Sequence, residues 1–130
     1  MIDKIAWIHV ADGRVLAARS RGKDKFYLPG GKREPGETDA ETLVREIREE
    51  LGVEITPSTI SPAGTFEGQA HGHAEGVHVR TTAYSAEYQG NLRACSEIEE
   101  IAWLGYADRP RVSLVAQMIF DHLHETGRLP

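Results

Sequence analysis

The most constraining stretch of this 130-residue chain is a helix whose two ends are both legible. Thr38 stands where an N-cap hydroxyl serves the first free backbone N–H groups, and Glu41, three residues on, completes a capping box. Gly52 stands where a left-handed residue ends a helix, so a helix is predicted over Thr38 to Leu51. Ala40, Leu43, Val44, Ile47 and Leu51 recur at helical spacing and form its core-facing stripe. Glu46, Glu49 and Glu50 follow the i, i+3, i+4 rule, which stacks three carboxylates on one face beside that stripe. They occupy the last turns, where the helix dipole is negative and each nearby anion costs about 0.3–1 kcal/mol. The plain reading is a solvated acidic face relieved by Arg45 and Arg48. A hard divalent cation reverses the balance, because carboxylate oxygens converging on Mg²⁺ repay their repulsion, and Mg²⁺ shares its shell with substrate phosphates.

The rest of the chain supplies strands. Lys4 to Val10 and Arg14 to Arg19 are apolar-rich runs joined through Asp12-Gly13, which predicts a hairpin. A third short run, Lys25 to Leu28, ends at Pro29-Gly30-Gly31, where a loop is expected to begin and to run to Glu37. Gly30 and Gly31 let the backbone approach an ion and offer carbonyl oxygens as hard ligands; the alternative is a plain turn. Beyond the helix, Val53 to Ile55, Gly64 to Phe66, Val77 to Tyr88 and Ile98 to Leu104 read as strands. A second helix after Pro110 should bury Val115, Met118, Ile119 and Leu123 before Gly127 stops it. This order suggests a mixed sheet sandwiched between helices, in one domain over residues 1–130.

Composition excludes several classes. The single cysteine, Cys95, offers neither a disulfide framework nor a CxxC, and no catalytic frame surrounds it. No uncharged apolar run reaches the roughly 18 residues of a membrane span, so no membrane partner is expected and a cytoplasmic location is the default. A formal net charge of −5 argues against general binding of nucleic acid, though not against small phosphorylated ligands held through a metal.

From Gly31 to Val53 the chain reads Gly31-x5-Glu37-x7-Arg45-Glu46-Ile47-x-Glu49-Glu50-x-Gly52-Val53, and this resembles a complete Nudix box. The strands before it and the Glu-rich run ending in Trp103 after it are similar to MutT-like members along most of the chain. The resemblance implies an α/β fold, the Nudix α/β/α sandwich with a mixed β-sheet between helices. It also implies Mg²⁺-dependent hydrolysis, with Mn²⁺ able to substitute, of a nucleoside diphosphate linked to another group. By position, Glu49 and Glu50 would be the principal metal ligands, and Glu46 a ligand or the general base. Arg45 would orient Glu46, Glu37 would support the cluster from behind, and a carbonyl of the Gly30-Gly31 pair, taken as Gly31, would join the metal.

Outside the box, Glu97 is the candidate for an acidic residue that completes the metal shell, against a solvated acidic turn formed with Glu99 and Glu100. Arg19 and Arg21, with Lys23 and Lys25, are candidates for the substrate's phosphates or else a solubilising edge. Trp103 is assigned to the core. His71, His73 and His78 lack a Cys or carboxylate frame for zinc and read as a connecting or covering loop. The expected activity is cleavage of a nucleoside triphosphate, oxidised or modified bases included, to the monophosphate and pyrophosphate. Near Gly68, Gln69 and Ala70 the chain lacks the proline of ADP-ribose hydrolases and the tyrosine of diadenosine polyphosphate hydrolases. Hydrolysis of ADP-ribose or a nucleotide sugar, removal of pyrophosphate from RNA 5′ ends, and a non-catalytic nucleotide sensor are the alternatives. A monomer or a homodimer fits the sequence equally.

Overall fold

Residue alternation along the strands decides the layering of this chain, whose computed structural model describes residues 1–70 and 72–130. Strand β1 is Ile2–Trp7, β2 is Val10–Ala11, β3 is Arg14–Ser20 and β4 is Gly30–Gly31. Helix α1, Asp39–Leu51, precedes β5 (Glu54–Ile55), β6 (Ser61–Gln69), β7 (His78–Ser85), β8 (Tyr88–Gln89), β9 (Ile98–Leu104) and α2 (Leu114–Glu125). Ile5 and Trp7 of β1 and Leu16 of β3 pack with Leu43, Ile47 and Leu51 of α1. Val15 and Ala17 of β3, Ala83 of β7 and Leu104 of β9 belong instead to the cluster of Val115, Ile119, Phe120 and Leu123 of α2. Successive side chains of a strand point to opposite faces, so the strands lie between the two helices as an α/β/α sandwich.

The main sheet is mixed, in the order β4-β1-β7-β6, with β1 and β7 parallel and the other pairs antiparallel. A second, antiparallel sheet has the order β2-β3-β9, and β5 pairs with β8. The Asp12-Gly13 turn forms as expected, with both residues at positive φ. It joins only β2 to β3, because the predicted first strand breaks after Trp7 and β1 joins the other sheet, on β7 some eighty positions away. The predicted run Lys25–Leu28 makes only isolated bridges, Ala18 with Tyr27 and Phe26 with Val112. Gly30 and Gly31, expected to open a loop, instead pair with Ala6 and Ile5.

Helix α1 carries the full capping box: the Glu41 N–H donates to Thr38 Oγ1, and the Thr38 N–H donates to Glu41 Oε1. Gly52 closes it at φ 70°. The loop after β8 then docks on its last turn, where the N–H groups of Arg93 and Cys95 reach the carbonyls of Leu51 and Glu50. Two burial expectations fail. Met118 is 40% exposed, because it lies on the outer shoulder of α2 against Gly68 of edge strand β6, and Trp103 is 37% exposed, edge-on to His9. Among the described residues no helix is long and apolar enough to cross a membrane.

Candidate active site

The site begins at Glu37, whose carboxylate gathers four donors. It accepts from the Glu34 N–H at 2.8 Å, the Thr42 hydroxyl at 3.0 Å, and Arg45 Nε and Nη2 at 2.6 and 2.8 Å. The fork on Arg45 holds the Glu37 carboxyl down at about 2, well below the ordinary range. With its guanidinium fixed there, Arg45 extends Nη1 to Glu46 Oε1 at 2.8 Å and Nη2 to the Lys32 carbonyl at 3.1 Å. Glu49 is more exposed, with Oε2 at 3.7 Å from Arg45 Nη1.

The paired glycines make room for the carboxylates. A Cβ on Gly31 would sit 2.4 Å from Glu46 Cδ, so the Glu46 carboxylate lies directly against that backbone. A Cβ on Gly30 would meet the Ile5 carbonyl oxygen at 1.9 Å, in a conformation of φ +150° that side chains rarely adopt. The Gly30 N–H donates to Glu50 Oε1 at 3.0 Å. Glu50 is 8% exposed, and burial, assisted by the charges of Glu46 and Glu97, pushes its carboxyl up to about 8. Burial also raises the Glu46 carboxyl against the pull of Arg45.

Glu97 approaches Glu50 from the loop before β9, and their carboxyls share a hydrogen bond. The Ser96 side chain above all holds the Glu97 carboxyl low, while burial above all raises that of Glu50, so the two are pushed apart. The Arg21 N–H secures this loop by donating to the Glu97 carbonyl at 2.8 Å, and its guanidinium donates to the Ser96 carbonyl.

Thus Glu37, Arg45, Glu46 and Gly31 come together, as do Gly30, Glu50 and Glu97. Arg19 turns away to Glu99 and Glu100 at 3.1 and 3.3 Å, and Lys25 donates to the Pro110 carbonyl. His73 lines the cavity described next, His78 opens β7, and His71 lies outside the described residues. Among the described residues no three His, Cys, Asp or Glu side chains already converge on one ion position. Mg²⁺ is held through one or two carboxylates, waters and substrate phosphate, so it does not require such a cluster. The donor chemistry fits that class of ion: the donors are all oxygen, and burial, with the charges of Glu46 and Glu97 beside it, raises the Glu50 carboxyl.

Glu50, Gly30 and Gly31 form one wall of a cavity of about 210 Å³. Ile2, Leu28, Val79, Val115 and Ile119 supply an apolar wall, and Lys4, Lys23 and Tyr27 add polar atoms. Lys4 escaped the sequence reading, although a lysine alternating with Ile2 and Ala6 on one face of an apolar strand is a visible anomaly.

A family model described as NUDIX domain matches residues 4–119. The CTP pyrophosphohydrolase of Escherichia coli is 31% identical over 108 residues, covering 79% of this chain and 75% of that protein. A relative from Mycobacterium tuberculosis that carries the name MutT4 is 30% identical over 118 residues, or 82% of this chain; the chain spans 47% of its length. Among solved structures, the solution structure of the E. coli ORF135 protein superposes with a TM-score of 0.75 at 26% identity, covering 96% of this chain and 89% of that one.

Proposed function

The chain belongs to the NUDIX family, hydrolases of phosphoric anhydrides in nucleotide derivatives, and from that premise we propose that it cleaves a nucleoside triphosphate to the monophosphate and pyrophosphate. The observation that carries this reading is the juxtaposition of Glu50 and the Gly30-Gly31 backbone with a cavity whose other wall is apolar. The apolar wall suits a nucleoside and the carboxylate wall suits a phosphate chain brought in with a divalent cation. Glu49 and Glu50 would hold that cation with a carbonyl of the Gly30-Gly31 pair, and Glu46 and Glu97 stand beside them. When bound, Mg²⁺ neutralises charge on the phosphate oxygens and makes a water molecule more acidic.

The chain's own residues account for the remaining steps. Arg45, clamped by Glu37, fixes the Glu46 carboxylate against Gly31 so that it has one orientation. Glu46, with its basicity raised by burial, is placed to take the proton of the attacking water. Water oxygen bonds to one phosphorus of the α–β anhydride, the bond from that phosphorus to the bridging oxygen breaks, and the other phosphate group leaves with the electron pair. Glu50 would be ionised as a ligand, so loading of the site would release protons.

The test is incubation with Mg²⁺ and each of the common nucleoside triphosphates, followed by ion-exchange separation with no added pyrophosphatase. Monophosphate and pyrophosphate as first products support the reading. Diphosphate and orthophosphate as first products overturn it.

A further inference from the structure

One cation in the cavity takes no part in the chemistry above. β1 turns Ile5 and Trp7 toward α1, which leaves Ile2, Lys4 and Ala6 on the cavity side. The Lys4 ammonium stands 5.4 Å from the centroid of the Tyr27 ring, and among the described residues it makes no hydrogen bond or ion pair. An ammonium taken from water without an anion beside it is costly, and a ligand that supplies the missing acceptor repays that cost.

Its place in the fold identifies the acceptor. Lys4 adjoins Ile5, which pairs with Gly31, the residue on which the Glu46 carboxylate lies. After burial as the larger effect, Lys32, Glu50, Lys23 and Glu46 all act on its charge, with opposite signs and none in contact. On the other side lie Ile2, Val79 and Val115 of the apolar wall. Lys4 therefore stands at the boundary between the carboxylate wall and the nucleoside wall. In a nucleotide that boundary is the phosphate esterified to the nucleoside. Of the basic side chains from Arg19 to the glycine pair, Arg19, Arg21 and Lys25 are tied to protein oxygens, and Lys23 lines the cavity from an exposed turn. We propose that Lys4 binds a non-bridging oxygen of the phosphate attached to the nucleoside and so sets where along the phosphate chain the substrate is cut. This inference rests on the nucleotide reading of the site.

The experiment is isothermal titration of the full chain in EDTA with AMP, CMP, GMP and UMP and with the four matching nucleosides, for the parent, Lys4→Met and Lys4→Arg. A charge-assisted hydrogen bond of the usual strength predicts that Lys4→Met weakens monophosphate binding about 10-fold or more. Nucleoside binding should not change, and Lys4→Arg should stay within about 3-fold of the parent. With Mg²⁺ and a triphosphate that the parent hydrolyses, Lys4→Met should raise KM by about the same factor while kcat moves less, the mark of lost ground-state binding. Thermal melting in EDTA should leave Lys4→Met at or above the parent, since a solitary half-buried charge has gone.

Unchanged monophosphate binding in Lys4→Met overturns the proposal. So does an equal loss of nucleoside affinity, which would mean that Lys4 reads the base. A parent that binds none of the four monophosphates overturns it too, as does a destabilised Lys4→Met whose binding Lys4→Arg fails to restore. Should the parent hydrolyse no nucleoside triphosphate while monophosphate affinity still depends on Lys4, the proposed reaction fails and the Lys4 assignment stands.

Discussion

Replacing Glu50 by glutamine isolates the electrostatic strain built into the site. Glu50 is buried, and its carboxyl is pushed from 4.5 to about 8. A raised acid contributes its stability below its unfolded value of 4.5 and loses it as pH rises through about 8, because the unfolded chain ionises freely while the folded chain must keep the proton or bury a charge. At pH 7 the cost approaches about 3 kcal/mol, from roughly 2.5 pH units at about 1.36 kcal/mol each; at pH 5 it is about 1 kcal/mol or less. Relaxation around the site and coupling to Glu97 reduce the difference to about 1–3 kcal/mol. Glutamine reproduces the protonated form: its oxygen accepts from the Gly30 N–H, and its amide donates to Glu97. Urea denaturation in EDTA at pH 5 and pH 8 should therefore show a stability advantage of Glu50→Gln over the parent that grows by about 1–3 kcal/mol between the two. Excess Mg²⁺ should reverse the order, since the ion stabilises only a folded site that retains its ligand. An advantage equal at both pH values, or a variant less stable than the parent at pH 8, would refute the argument and make Glu50 a structural anion.

Four further outcomes follow from the same geometry. Gly31→Ala sets a methyl group 2.4 Å from Glu46 Cδ; the side chain can swing aside, so unfolding free energy should fall by less than about 1 kcal/mol while kcat falls about 100-fold. Gly30→Ala meets the Ile5 carbonyl backbone at 1.9 Å, and the same denaturation curves should place it well below Gly31→Ala in stability. Glu37→Gln loosens the fork on Arg45 and should lower turnover about 10-fold, with Mg²⁺ titrations separating lost affinity from lost rate. Steady-state kcat at saturating Mg²⁺ should rank Glu49→Gln and Glu50→Gln below Glu97→Gln; if Glu97→Gln is the worst, the base lies outside the box.

The features legible in the sequence are those decided within a few residues. The box on Thr38 and Glu41, the left-handed Gly52 and the stripe of Leu43, Ile47 and Leu51 are local, and α1 forms between the ends they specify. The spacing of Glu46, Glu49 and Glu50 along a helix is likewise local, and so is the Asp12-Gly13 turn. Distant pairing decided the rest. β1 left the expected hairpin because Ile2 to Trp7 match Val79 to Tyr84, a register that no local pattern encodes. The same ladder took Gly30 and Gly31 out of a loop and laid them under Glu46 and Glu50. Arg19, a candidate for the phosphates, is paired because β9 brings Glu99 and Glu100 beside it, and Lys4 is a cavity residue only because β7 and α2 close the cavity around it. Backbone geometry and spacing act along the chain and can be read from it, whereas burial and charge pairing depend on which segments meet, and only the assembled sheet sets those distances.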